Sequence, residues 1–329
     1  MSTAAAALVA PAGCRAPTSA QRRLALPQAA PFARRVVASR ALQQQEAEAA
    51  VGTPSTGGSS ADAGRRYLSL LPPFFGRATE LEEYVPGRLW DLAQPLKLDF
   101  QRFDIRLRMV VTRLPDGSLL LISPVAPTGE ALSQLASIGG EVSHIVLPSS
   151  SPEHWFYGPA LSDAFPNATV WAVPGLLEGQ GLPFPFFRQY TSGMRPRCKA
   201  LGQDPLPPEL QGQLDAEVLT APFFIEAAVV LPQHGALLLA DTGFCMDAKE
   251  YAHLSQANID AAKKVRVWDQ LGPITRAVFE AEPEKGQAWV QAVLAREGWD
   301  LVIPAHASSP IRDGRRAFQE CFAFLSEAT

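Results

Sequence analysis

The stretch His144-Ile145-Val146-Leu147-Pro148-Ser149-Ser150-Ser151-Pro152-Glu153-His154-Trp155 places a short apolar run directly before a polar loop that closes on a histidine. A run of this length bounded by Pro and Ser reads as a buried strand. Upstream, Thr128 is placed to cap a helix whose Leu132, Leu135 and Ile138 share one face, and Gly139-Gly140 stop it. Before that helix, FDIRLRMVVTRL alternates apolar and polar residues, Pro115-Asp116-Gly117 forms a turn, and SLLLIS gives a second strand. Strand, helix, strand in this order is a βαβ-like unit and predicts α/β layering.

Downstream of the loop the pattern predicts a helix over 158–165 and the strand TVWAV over 169–173. Residues 182–210, rich in Pro and aromatics, carry neither period and read as a long ordered loop over the surface. Three strands follow, EVLTA, AAVVLP and ALLLAD, the last two joined by Pro232-Gln233-His234-Gly235. Helices are expected over 261–271, 274–280 and 287–297, then the strand DLVIP over 300–304 and a helix over 313–327. Two mixed sheets faced by helices accommodate this order, with one domain over 67–329.

Composition narrows the function. The 329 residues are 47% hydrophobic and 19% charged, enough apolar material for a buried core. No window reaches the roughly 18 consecutive apolar residues of a spanning helix, so no transmembrane segment is expected. A formal charge of −4 and a pI near 5.8 supply no basic footprint for nucleic acid. Cys14, Cys198, Cys245 and Cys321 are scattered with no C-x-x-C spacing, which argues for a reduced compartment and against a zinc finger or redox dithiol.

Residues 1–45 hold 14 Ala and six Arg, and the first acidic residue is Glu46. That is transit-peptide composition, and Arg15, Arg22 and Arg23 interrupt every apolar run a secretory signal would need. Val36-Val37-Ala38 resembles an algal chloroplast processing site. The expectation is a leader over 1–38 and delivery to the chloroplast stroma, with the mitochondrion as the alternative. Cleavage there removes five arginines and takes the formal charge from −4 to −9. Residues 39–66, which include the Gly/Ser/Thr-rich stretch 46–64, read as a linker.

Polar residues follow apolar strands at three places: the 149–154 loop, Asp241 after ALLLA, and His306 after DLVIPA. Strand ends hold the backbone still while the loop exposes a side chain, so sites gather there. Other readings stand beside this one. Asp241-Thr242-Gly243 also suits an Asx turn, and Glu153 also suits a first-turn acid. Asp-Thr-Gly occurs in aspartic proteases too, but Phe244 follows it here and a proton-sharing dyad needs a second copy. His144 reads as a hydrogen-bonded core residue, His234 as a solvated hairpin tip, and His253 as a residue with no partner at ligand spacing.

HIVL with its loop ending in His154, ALLLAD and DLVIPAH together resemble the metallo-β-lactamase superfamily over about 100–325, which implies an αββα sandwich with one or two metals at the sheet edge. Within it the chain resembles the plant, algal and bacterial subgroup called domain of unknown function 4336, through LWDLAQPL, SPVAPTGE, HIVLPSS and FPNATVWAVPGL. The superfamily's His-x-His-x-Asp-His loop is here Ser149-Ser150-Ser151-Pro152-Glu153-His154, so two histidines of the first ion have become serines. The turn that carries that ion's next histidine offers Phe223, Phe224 and Glu226 instead. The resemblance assigns Glu153, His154, Asp241 and His306 to one remaining ion, with Asp241 orienting its water. Two imidazoles and two carboxylates suit zinc, iron or manganese. A hydrolase of an ester, thioester or phosphoester small molecule is implied, or a non-catalytic scaffold on the same fold. The aromatic stretch 182–197, with its arginines, is a candidate roof over a substrate pocket or docking patch for a protein partner.

Overall fold

The computed structural model describes residues 71–74, 77–98, 103–179, 187–307 and 310–326. The leader and linker readings over 1–66, and residues 182–186 of the aromatic stretch, lie outside the described residues.

Eleven strands among these residues form two sheets. The first runs in spatial order β1 (Glu80–Val85), β2 (Leu89–Leu98), β3 (Phe103–Arg113), β4 (Leu119–Ile122), β5 (Val142–Leu147), β6 (Thr169–Ala172), β7 (Cys198–Ala200). Neighbours are antiparallel from β1 to β4 and parallel from β4 to β7. The second sheet runs β11 (Leu301–Pro304), β10 (Ala236–Leu239), β9 (Phe224–Leu231), β8 (Asp215–Ala221), with β10 and β11 parallel and the rest antiparallel.

Burial on both faces explains why the central strands show no alternation. In β9, Ile225, Ala227, Val229 and Leu231 join the core between the sheets, while Phe224, Ala228 and Val230 join a second core under helices. That second core is built by Phe279 of α6 (Arg276–Ala281), Trp289 and Val293 of α7 (Pro283–Ala295), and Phe318 and Phe322 of α8 (Gly314–Phe322). On the other side, Ala131 and Leu135 of α1 (Gly129–Ile138) and Leu161 of α2 (Gly158–Ala164) belong to the first core. The layers are helix, sheet, sheet, helix. Glu226 stands in β9 among residues that are all buried. Thr128 caps α1 by accepting the Ala131 N–H at 3.1 Å.

Several expectations are corrected. β1 and β2 escaped the sequence reading because β2 buries Asp91 and Gln94 among its apolar residues, which hides the period. Asp91 is held there by the guanidinium of Arg108 at 3.0 Å and the Tyr84 hydroxyl at 3.0 Å. The stretch 182–210 is not all loop: it contains α3 (Phe187–Tyr190), a short turn at Arg195–Arg197 and the edge strand β7. The next helices are α4 (Ala248–Tyr251) and α5 (Gln256–Lys264), so the helix expected over 261–271 ends early. Arg266 and Asp269 take φ of 61° and 53° there, which helical backbone does not allow. His234 is not a solvated tip, since its Nε2 lies 2.7 Å from the Thr112 hydroxyl and the residue is partly buried. Among the described residues no helix is long and apolar enough to cross a membrane.

Candidate metal centre

The loop after β5 is tied into the second sheet by backbone bonds, which brings its histidine to the seam between the sheets. Ser149 bridges to Glu226, the Ser150 N–H donates to the Ile225 carbonyl at 2.8 Å, and the Ile225 N–H donates to the Ser150 hydroxyl at 2.9 Å. Pro152 then opens a single 3₁₀ turn, Pro152–His154, that carries Glu153 and His154. Proline suits this place because its missing N–H would find no partner in a first turn. Asp241 starts the 3₁₀ turn that follows β10, and His306 comes two residues after β11.

One ligand atom from each of Glu153, His154, Asp241 and His306 lies within 4.8 Å of all the others. The His154 and His306 Nε2 atoms stand 3.6 and 3.7 Å from the same Asp241 oxygen, Oδ1, beyond hydrogen-bond reach. Both Nε2 atoms are buried and have no hydrogen-bond partner. The opposite ring atoms are engaged. His306 Nδ1 lies 2.7 Å from the Arg106 carbonyl, which can only accept, so the proton of the neutral ring sits on Nδ1 and the Nε2 lone pair faces Asp241. His154 Nδ1 lies 2.9 Å from the Ser123 hydroxyl. Buried nitrogens left bare cost free energy unless something binds them. Two such imidazoles converging on a carboxylate, each oriented through its other nitrogen, form a donor set that could hold a divalent first-row ion.

The electrostatics agree with a site short of positive charge. Burial pushes Glu153 and Glu226 up to about 7, reinforced by the charge of Asp241. Burial works against the Asp241 carboxylate as well, yet His154 and His306 hold it far below the ordinary range. Burial lowers His306. It acts the same way on His154, where Asp241 overcomes it and the net shift is upward.

Asp241 does not close an Asx turn. Its Oδ2 accepts the Ser151 hydroxyl, while the Thr242 N–H and hydroxyl go to Glu226. Glu226 also accepts the Ala240 N–H at 3.1 Å and the Asp241 N–H at 2.9 Å. Ser149, where the superfamily's first histidine stands, turns its hydroxyl to the Ser151 N–H at 3.1 Å. No metal-ligand group other than the four-residue set is found among the described residues.

Three contributors escaped the sequence reading: Ser123, Arg106 through its carbonyl, and Tyr251. Ser123 adopts φ +62°, a left-handed conformation uncommon for serine, and so presents its hydroxyl to His154. Tyr251 donates to the His306 carbonyl at 2.5 Å and accepts the Arg106 N–H at 2.9 Å. Backbone partners leave no sequence signal, but a polar residue directly after the apolar β4 was available to be read. His144 is buried and accepts the Trp171 Nε1–H at 3.2 Å, away from the cluster. His253 is not part of the cluster either.

Residues 86–250 match the family described as domain of unknown function 4336. The chain belongs to that family. Comparison with proteins of curated function finds no match. Among solved structures, the chain is similar to a metal-soaked Flv1 flavodiiron core from Synechocystis sp. PCC6803, with 13% identity and a TM-score of 0.51, covering 76% of this chain and 62% of that one. A metallo-β-lactamase from Pontibacter korlensis is also similar, with 13% identity and a TM-score of 0.49 over 76% of this chain and 99% of that one. The likeness to the flavodiiron core concerns the fold alone: this member of the family is an αββα sandwich.

The described part of the aromatic stretch packs against the first core. Phe187 is buried with its ring 5.1 Å from that of Trp155, and Arg195 and Arg197 donate to the carbonyls of Leu177, Phe165 and Ala168. Within the described part of the stretch, 187–197, Arg195 and Arg197 thus tie it to the backbone of residues 162–177, while Arg188 is exposed.

Proposed function

We propose that this chain binds one divalent ion, zinc or else iron or manganese, on Glu153, His154, Asp241 and His306, and uses it to hydrolyse an ester, thioester or phosphoester. The observation that carries this reading is the pair of buried, unpartnered Nε2 atoms facing one Asp241 oxygen. A bound ion of this kind supplies Lewis-acid polarisation and a water whose pKa falls towards about 7. The protein's own part is orientation. Ser123 and the Arg106 carbonyl set the two rings, and Glu226 grips three successive backbone N–H groups and so fixes where Asp241 points. Asp241, kept ionised, is placed to orient a nucleophilic water, and Glu153, pushed up to about 7, is the carboxyl beside it able to take a proton.

One observation favours a second reading, a structural ion in a non-catalytic binding protein. The Ser151 hydroxyl already occupies Asp241 Oδ2, and Ser149 and Ser151 replace the first-ion histidines. Metal analysis of the purified protein after supplementation with zinc, iron and manganese separates the readings when paired with activity. The hydrolase reading expects about one equivalent of metal, together with turnover of an aryl ester, a thioester or a phosphodiester, both lost in His306→Ala and Asp241→Ala. Metal without turnover supports the structural ion. A metal-free wild type whose variants melt as it does removes both.

For location we propose the plastid stroma, supported by the acid-free, Arg- and Ala-rich composition of residues 1–45. A reporter fused to residues 1–50 should enter plastids; one that stays in the cytosol or lights mitochondria overturns this.

A further inference from the structure

A cavity of about 750 Å³ opens between the 265–273 loop and α8, and none of the four ligand residues lines it. That volume lies in the range of small-molecule sites. Leu271, Ala317, Cys321 and Phe324 give it an apolar lining, and four arginines, 266, 276, 312 and 316, stand around it with Lys249.

Its charges are unevenly matched. Asp313 and Glu320 are both taken by Arg316, at 2.6 and 3.6 Å. Asp247 accepts the Glu250 N–H at 3.0 Å and Asp269 the Ala248 N–H at 3.1 Å. Arg276 pairs with Glu280 at 2.7 Å and lies 4.4 Å over the Phe324 ring. Arg266 and Arg312 alone of the four arginines have no carboxylate partner among the described residues. The backbone also fixes Arg266: it holds φ +61°, and a Cβ on Gly272 would come within 2.1 Å of the Arg266 carbonyl oxygen, so the loop closes only around a glycine.

We propose that this cavity binds a small amphiphilic anion, a phosphate or carboxylate head on Arg266 and Arg312 with an apolar body over Leu271 and Phe324. Guanidinium forks match both head groups bidentately. The wall also contains Ala307 and Cys245, chain neighbours of His306 and of Phe244, whose ring lies 4.4 Å from that of His306. An occupant therefore sits one residue away from the shell of the metal cluster without touching a ligand. The proposal stands apart from the hydrolase reading, since it needs no turnover.

Calorimetric titration of the full chain with octyl phosphate, octanoate, inorganic phosphate and octanol tests it. Octyl phosphate or octanoate should bind, and whichever is tighter identifies the head group; inorganic phosphate should bind more weakly and octanol not at all. Arg266→Gln/Arg312→Gln should weaken binding of the anion at least tenfold with unchanged melting, because both side chains are exposed. Phe324→Ala should weaken octyl phosphate and leave inorganic phosphate unaffected. Failure of both amphiphilic anions to bind at millimolar concentration overturns the proposal, as does a double variant that binds like wild type. Binding that requires added zinc and resists the double substitution places the anion on the metal cluster instead, and also overturns it.

Discussion

Glu226 holds Asp241 by its backbone: Glu226 Oε2 accepts the Asp241 N–H at 2.9 Å while the Asp241 side chain faces His154 and His306. One carboxylate acts as an internal cap on a loop, and the other is thereby aimed at two bare imidazole nitrogens.

Removing that cap should therefore damage both stability and metal binding. Glu226→Ala strands three buried N–H groups and the Thr242 hydroxyl, and should cost about 3 to 5 kcal/mol in urea unfolding of the metal-free protein, as for a broken buried polar network. Glu226→Gln, which keeps the volume and one acceptor oxygen, should cost about 1 to 3 kcal/mol. Metal affinity should fall with both, by about tenfold or more. An alanine variant as stable as wild type would show that the loop holds its shape without Glu226.

Ser123 allows its two contributions to be separated. Ser123→Ala and Ser123→Gly both lose the hydroxyl that orients His154, and each should weaken metal binding by about 10- to 100-fold. Glycine accepts φ +62° without penalty, so Ser123→Gly should be more stable than Ser123→Ala by about 1 kcal/mol. Competition with a chelator reads the first effect and urea midpoints the second. Equal stability of the two variants would mean the backbone relaxes out of the left-handed region.

Tyr251 links β3 to the His306 loop through one hydroxyl. Tyr251→Phe leaves the His306 carbonyl and the Arg106 N–H without that partner in a buried place, which should cost about 1 to 3 kcal/mol. Metal affinity should fall as well, because the Arg106 carbonyl that orients the His306 ring belongs to the same pairing. Unchanged metal affinity in a destabilised variant would confine Tyr251 to a packing role.

The pH dependence has a defined sign. Burial lowers His144, with Glu209 opposing, and its Nδ1 accepts from Trp171. The unfolded chain takes up this proton near 6.5 and the folded chain only at lower pH, so the contribution of His144 is fully present above about 6.5 and is lost as pH falls below it. Glu153 and Glu226, pushed up to about 7, act with the opposite sign in both proteins, so the effect is read as a difference: the wild-type midpoint of urea unfolding should fall relative to that of His144→Gln as pH drops below about 6.5. Metal occupancy should fall through about pH 6 as protons compete for the imidazoles. A difference between metal-free wild type and His144→Gln that stays flat from pH 7 to 5 would contradict the assignment of His144.

The chain order of most strands, the layering, and His154, Asp241 and His306 were legible in the chain because each rests on a local signal, whereas Glu153 entered through the family resemblance. An apolar run buried on both faces is recognisable by itself, and a polar residue directly after it marks a strand end; this is how His154, Asp241 and His306 stood out. What the local signals could not carry is anything in which a distant residue supplies the other half of an interaction. β2 was missed because Asp91 and Gln94 break its apolar pattern, and only the fold brings Arg108 and the Ala126 backbone to satisfy them. The helix predicted over 261–271 followed composition, whereas the close approach of Gly272 to Arg266 turned the chain out of it. The sequence by itself determined two mixed sheets faced by helices with polar residues at three strand ends, and its family resemblance added the αββα arrangement and a candidate set of metal ligands. Tertiary structure alone decided that Ser151 fills one side of Asp241, that Glu226 caps its loop, and that two histidines 152 positions apart leave their Nε2 atoms bare against one oxygen, because hydrogen bonding and burial are properties of neighbours in space.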